Sequence, residues 1–285
     1  MSAYTINDLP RYSPWPARLI GSEPCLKRYK TPEEVTREYE YEKWGPLLNK
    51  LLKERRRVTL EEVDKWIFDD IQPSLCGIKN RLELLSPLDA HRKYLSLVHA
   101  TLKPYMPATA LVELGAGYGR VIIALSQYSD FAGIPIIAGE YTTSGMQLLK
   151  YLAGSQNLPI EVGHCDFSSG QVFDFEIPSH SVVFTSYATP CVPELPVDFV
   201  KALCRCKPNF VIHFEPCYEH CDPNTLLGLM RRRYIEVNDY NTNLITLLRD
   251  QQEKGIIKII KEEQAVFGAN LLLSASVIIW KPTEA

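Results

Sequence analysis

No run of eighteen apolar residues occurs in this chain of 285 residues, so the sequence offers no transmembrane helix. Neither sign of charge dominates: 31 lysines and arginines face 34 aspartates and glutamates, for a formal net charge of −3. That balance exerts no general pull toward nucleic acid or anionic lipid, and neither is expected as a partner. The opening "MSAYTINDLPRYSPWPARL" lacks the cationic start and apolar core of a secretory signal, so a cytoplasmic location is expected. Cysteine is not scarce, but the C-x-x-C pair is missing. Cys204, Cys206, Cys217 and Cys221 crowd with His220 into "CRC" and "CYEHC", a spacing without a zinc knuckle. The eight cysteines read as reduced thiols, and no metal site is expected. Internal repeats and low-complexity tracts are also absent.

What is present divides by pattern. Residues 1–30 carry Pro10, Pro14, Pro16 and Pro24 among aromatics, which favours an extended segment lying over a domain. At Thr31 the text turns helical. "TPEEVTREYEYEKWGPLLNKLLKERR" begins with a capping Thr, a Pro and two acids, and Leu47, Leu48, Leu51 and Leu52 follow at helical spacing. "TLEEVDKWIFDDI" and "PLDAHRKYLSLVHATLKPY" are two more amphipathic stretches, so residues 1–104 are expected to be an extended segment and a helical lid. Over 105–285 strands and helices alternate. "ALVEL", "PIIAGEY", "PIEVGHCDF", "SVVFTSYA" and "NFVIHFEP" read as apolar strands, interleaved with the helices "GRVIIALSQYS", "SGMQLLKYLAGSQ" and "LPVDFVKALCRC". A polar helical region over 223–254 precedes two closing strands, "GIIKIIKEEQAVF" and "LLLSASVIIWKP". The pattern predicts an α/β fold: a mostly parallel sheet covered on both faces, with an antiparallel pair at one edge.

Between the strand "LVEL" and its helix lies "GAGYG". Gly115, Gly117 and Gly119 form G-x-G-x-G, not the G-x-G-x-x-G of a dinucleotide turn, and the lysine and Ser/Thr of a P-loop are missing. Glu113 stands two residues before the first glycine, where a carboxylate repels a pyrophosphate and suits an ammonium or sulfonium. Glu140 ends the next strand, placed to accept ribose hydroxyls. Asp166 ends the third with Phe167 beside it, an acceptor for an adenine amino group and a ring to lie on the base. Lying one βα unit apart, the three acids meet along the carboxyl edge of the sheet, where open α/β sheets bind ligands. An NAD-dependent oxidoreductase is therefore disfavoured.

"VELGAGYGR", "GEY" and "GHCDF" together resemble the first three signature segments of class I S-adenosylmethionine-dependent methyltransferases, a likeness that runs over about 105–282. The resemblance implies a Rossmann-like seven-stranded sheet ending in an antiparallel pair, with S-adenosyl-L-methionine as cofactor and methyl transfer as the reaction. Carried over, it places Glu113, Gly115, Ala116 and Gly117 along the methionine and ribose, Glu140 and Tyr141 at the ribose, and Asp166 and Phe167 at the adenine. Ser186 and Tyr187 match the fourth segment, bordering the sulfonium and the acceptor. "TSYATP" lacks the "PPY"-like motif of many amino- and base-methylating members. The wider layout is similar to bacterial small-molecule and sugar O-methyltransferases.

Methyl transfer is an in-line displacement in which the protein aligns the acceptor, and an alcohol benefits from a base. Candidates for that chemistry follow the fifth parallel strand in "HFEPCYEH": His213, Glu215 and His220, with Tyr187 opposite. His213 equally suits a hydrogen-bonded core position. His91 and His99 share one helical face and read as packing residues, and Arg231–Arg233 with Arg28 and Lys30 as a solvated face. Tyr and Asn are frequent over 234–245, which modestly favours a polyhydroxylated acceptor. The expected function is methyl transfer to a small polar molecule, at a hydroxyl of a sugar-like or natural-product metabolite. The alternative acceptor is an amine, amino acid or peptide of a biosynthetic pathway. Homo-oligomerisation is compatible with the sequence, which does not specify a subunit number.

Overall fold

Nine strands form one mixed sheet: β1 (Ser74–Ile78), β2 (Arg81–Leu85), β3 (Leu111–Leu114), β4 (Ile136–Glu140), β5 (Ile160–His164), β6 (Val182–Ser186), β7 (Phe210–Pro216), β8 (Ile257–Gly268) and β9 (Ala275–Pro282). They appear in a computed structural model that describes residues 4–54, 56–79, 81–169 and 172–283. The strand order is β2-β1-β8-β9-β7-β6-β3-β4-β5. From β3 to β7 all pairings are parallel; β9 runs antiparallel to both β7 and β8. The chain steps outward from β3 through β4 to β5, then returns to place β6 on the other side of β3. That reversal opens a crevice at the carboxyl ends of β3 and β6, where such sheets bind ligands.

The expected antiparallel closing pair is β8–β9, but among the described residues the sheet has nine strands where seven were expected. The two extra strands lie in a stretch read as mostly helical, between two of its amphipathic segments. β1 and β2 pair with each other, and Gly77 and Ile78 pair with Gly268 and Phe267 at the end of β8. The period-2 alternation in "SLCGI" and "RLELL" is short, and tertiary pairing to the long β8 completes what local propensity leaves marginal. Part of the first hundred residues thus belongs to the sheet.

The N-terminal stretch is likewise more regular than extended. Ile6–Arg11 forms a 3₁₀ turn and α1 spans Trp15–Leu19, while residues 1–3 lie outside the described structure. Helix α2 (Pro32–Thr36) starts as read, with the Thr31 hydroxyl accepting the Glu34 N–H. It then widens into a π-helical segment, Arg37–Trp44, before α3 (Gly45–Lys53). The reason is local: the Gly45 N–H reaches back five residues to the Glu40 carbonyl, and Pro46 has no N–H to restore the tighter ladder.

A capping box of Thr59 and Glu62 opens α4 (Leu60–Phe68), and Ser86 caps α5 (Pro87–Leu102). The remaining helices are α6 (Arg120–Leu125), α7 (Thr143–Ser155), α8 (Val197–Arg205), α9 (Leu226–Val237) and α10 (Leu244–Glu253). The single helical region read over 223–254 is thus two helices. Asn241 breaks it, its Oδ1 accepting the N–H groups of Asn243 and Leu244 while its amide donates to the Val192 carbonyl.

Each sheet face is covered by its own core. Leu51, Val98, Ile122 and Leu149 pack on one, Phe199, Leu203, Leu248 and Trp280 on the other. Gly119 is where α6 meets α7: its φ is +84°, and a Cβ there would lie 2.5 Å from Leu149 Cγ. Gly119→Ala should therefore lower stability by about 1–3 kcal/mol in urea unfolding, from overpacking and the left-handed backbone together.

Candidate active site

A cavity of about 450 Å³ lies at the carboxyl ends of β3, β4 and β6 and the residues following β5. The structure brings all nine residues marked for the cofactor to its wall: Glu113, Gly115, Ala116, Gly117, Glu140, Tyr141, Asp166, Phe167 and Ser186. Tyr187 lines it too. Gly115 has to be glycine on two counts. Its φ is +76°, and a Cβ would lie 2.3 Å from that of Ala188, in the turn after β6. The glycine turn thereby packs directly against the Ala188 side chain of the β6 turn.

The acids are held by turns rather than left to water. Glu113 is buried, and its Oε2 accepts the Ile122 N–H at 3.0 Å. Burial pushes its carboxyl up to about 8, with Glu140 and Glu215 adding to the rise, which favours the protonated form. Glu140 Oε2 accepts the Gly117 N–H at 2.8 Å, and its Oε1 accepts the Thr142 N–H and hydroxyl at 3.0 and 2.6 Å. Asp166 is more open. Its Oδ1 takes the Ser168 N–H and hydroxyl. Phe167 beside it is fixed by Phe199, ring centroids 4.9 Å apart.

The N-terminal part supplies the remaining wall. The π-helical segment turns Tyr39 and Trp44 toward the cavity, and Lys30, Pro32 and Val35 join them. Trp44 lies 3.3 Å from where a Cβ on Gly117 would be, and its buried Nε1 has no hydrogen-bond partner among the described residues. Glu40, in the same segment, accepts the Ser144 N–H and so ties it to the start of α7.

A second cavity, of about 520 Å³, adjoins the first and shares Arg120, Val121, Ser186 and Tyr187 with it. Its other walls are largely apolar and aromatic, among them Tyr12, Trp15, Phe68, Tyr94, Leu271 and Phe267. Tyr94 and Ser186 hydrogen-bond at 2.6 Å where the cavities meet. Tyr187 adopts φ +52°, a left-handed conformation rare for an aromatic residue, and its hydroxyl lies 3.2 Å from the carbonyls of Phe267 and Leu273.

Three of the four residues read as candidates for the chemistry line neither cavity. His213 is fully buried, with Nδ1 2.9 Å from the Thr185 hydroxyl and Nε2 accepting the Trp280 indole N–H. Burial drives its pKa down to about 3. His220 is held between Ser276 and Glu262 at 2.8 Å each. Glu215 shares the His213 face, as alternation requires, but its carboxylate accepts the N–H groups of Ala188 and Thr189 and the Thr189 hydroxyl. It thus sets the turn that carries Tyr187 and Ala188.

The arginine run also resolves into structural roles: Arg231 donates to the Leu271 carbonyl and the Ser274 hydroxyl, and Arg232 to the Cys221 carbonyl. Among the described residues no group of His, Cys, Asp and Glu is placed to hold a metal. Sequence reading passed over Arg120, Trp44 and Tyr94. Only Arg120 had a visible signal, following the glycine turn directly.

No family model matches the sequence, and no curated protein is significantly similar to it. Solved structures are. The small RNA methyltransferase HEN1 aligns at 12% identity over 73% of this chain and 27% of its own, with TM-score 0.50. Magnesium protoporphyrin IX methyltransferase (ChlM) from Synechocystis PCC 6803, with bound SAH, aligns at 11% over 68% of this chain and 84% of its own, TM-score 0.48. The mitomycin 7-O-methyltransferase MmcR aligns at 12% over 69% and 58%, TM-score 0.44. The likeness shows the fold, an α/β fold with a mostly parallel mixed sheet that matches methyltransferase structures.

The raised carboxyls make stability pH-dependent. Glu113 and Glu215, pushed up to about 8 and about 7 from 4.5, bind protons in the folded chain that the unfolded chain has released. Folding stability should therefore be greatest below pH 4.5 as far as these two groups are concerned, and fall as pH rises from there toward 8. Urea unfolding across that range should show the decline, and Glu113→Gln should flatten it. A profile identical in the variant would mean Glu113 ionises normally.

Proposed function

We propose that the protein is an S-adenosyl-L-methionine-dependent methyltransferase, with the cofactor in the first cavity and a small-molecule acceptor in the second. One observation carries the reading: acids and glycines on three successive strand ends, matching the cofactor-binding pattern in order, line a single cavity together. Asp166 and Phe167 receive the adenine, Glu140 and Tyr141 the ribose, and the turn 115–117 the methionine end. The bound cofactor supplies a methyl group on a positively charged sulfur, a good leaving group. The chain aligns the acceptor at Ser186 and Tyr187 and keeps water out with the aromatic walls.

The reaction favoured is transfer to oxygen. Arg120 stands at the border of the cavities, and a fixed positive charge there opposes an ammonium-bearing acceptor. Apolar walls shift the acceptor from a sugar toward a ring-bearing metabolite. A nicotinamide-dependent oxidoreductase is disfavoured because the 115–119 turn lacks the dinucleotide spacing.

Calorimetry should register binding of S-adenosylhomocysteine and none of NAD; the reverse result sinks the proposal. Asp166→Ala should weaken S-adenosylhomocysteine by about 1–3 kcal/mol, the worth of a charged acceptor's hydrogen bond. Because a nearby cation favours the ionised carboxyl of Glu113, S-adenosylmethionine should bind more tightly as pH rises toward about 8. Titrations in buffers of different ionisation enthalpy should show proton release on binding, and equal apparent enthalpies would count against it.

A further inference from the structure

We infer that the acceptor is an oxyanion on an apolar, ring-bearing scaffold, its charged oxygen held by Arg120 where the two cavities meet. The inference rests on the methyltransferase reading and adds the substrate class to it.

Arg120 is built into its position rather than left to solvent. Its Cζ lies 4.2 Å from the Phe68 ring centroid, and its Nε lies 3.0 Å from Asp64 Oδ1, an ion pair off the line of a hydrogen bond. Asp64 is itself fixed by the Tyr118 hydroxyl, which donates to Oδ1 at 3.0 Å. Nη2 is buried with no hydrogen-bond partner among the described residues. A buried guanidinium donor left unmatched is costly, and its planar fork suits a carboxylate or another oxyanion.

The geometry also assigns the side from which that partner comes. Phe68 lines the second cavity and not the first, as does His91, on which the Arg120 charge acts. Burial, with Arg120 and Arg92, drives His91 down to about 3, so it stays neutral and leaves Arg120 as the charge on this wall. Around it the second cavity offers rings and branched aliphatics: Tyr12, Trp15, Tyr94, Leu75 and Leu271. Such walls take an apolar, flat body and leave one anchoring point for charge.

The lining of the second cavity agrees. His213, Glu215 and His220 lie outside both cavities, His91 is too weak a base at its depressed pKa, and burial raises the phenols of Tyr94 and Tyr187 so that both stay protonated. An acceptor that arrives already ionised needs no base. Its oxygen forms a bond to the methyl carbon as the carbon–sulfur bond breaks, and the sulfur keeps that electron pair. A carboxylate becomes a methyl ester and a phenolate an aryl methyl ether; the cofactor becomes a neutral thioether, and no proton is lost. Arg120 keeps the acceptor ionised and points its oxygen toward the other cavity.

The test uses the full chain saturated with S-adenosylhomocysteine, titrated with 3-phenylpropanoate and its neutral counterpart 3-phenylpropanol, followed by intrinsic tryptophan fluorescence and calorimetry. The carboxylate should bind at least about tenfold more tightly than the alcohol, the scale of a charge-assisted hydrogen bond. Arg120→Gln should erase the difference and Arg120→Lys keep part of it, while S-adenosylhomocysteine affinity moves less than about threefold in both, well short of a lost charge-assisted hydrogen bond. Circular dichroism melts identify any variant that fails to fold, and the carboxylate-to-alcohol comparison in the unaltered protein stands without variants.

Equal binding of the two probes overturns the inference. So does a Gln variant that loses S-adenosylhomocysteine but keeps the discrimination, since Arg120 would then serve the cofactor's own carboxylate. Failure of S-adenosylhomocysteine to bind the unaltered protein overturns the methyltransferase reading instead.

Discussion

Carboxylates buried at the strand ends, each met by the backbone N–H groups of a turn, hold this molecule's working end together. Glu113, Glu140 and Glu215 are at most 5% exposed. A carboxyl so placed loses its hydration, and fixed donors have to replace it. Glu113 reaches the first turn of α6, Glu140 spans from the glycine turn to the start of α7, and Glu215 grips the turn after β6. Each loop of the cavity is thus tied to a strand of the sheet. The close approach of Gly115 to Ala188 joins two of these loops directly.

The parallel half of the sheet, its closing antiparallel pair and the residues gathered on the wall of the first cavity were legible in the sequence for one reason. A strand buried on both faces must be apolar throughout, so an acid or a glycine at its end stands out against that background. Glu113, Glu140 and Asp166 are such interruptions. The chemistry candidates were less legible because His213 and Glu215 interrupt β7 in the same way while serving the interior. A hydrogen-bonded core histidine and a catalytic one share a sequence pattern, and only the partners distinguish them: Thr185 and Trp280 occupy both ring nitrogens of His213. The β1–β2 hairpin was hidden for another reason. Its strands are completed by β8, about 190 residues further along, and no local window contains that pairing.

The N-terminal hundred residues do three separate jobs. The hairpin extends the sheet, and the π-helical segment brings Tyr39 and Trp44 to the first cavity. The segment around Tyr12 and Trp15 faces the second cavity, anchored by an apolar cluster with Tyr234, Leu271 and Leu272. π-Helical insertions often sit at functional positions because they rotate side chains that a regular helix would leave elsewhere. Here the rotation follows from Gly45 and Pro46.

The two cavities share only four residues, and this partition has an evolutionary consequence. Walls drawn from the strand ends of the sheet can stay constant while those drawn from the first twenty residues, α4, α5 and the loop after β8 are exchanged. Substitutions at Tyr12, Trp15 or Leu271 would reshape the second cavity without touching the residues around the glycine turn. A lineage could therefore change the shape of one cavity by drift in a peripheral strip of chain, with the wall around the glycine turn carried along unchanged.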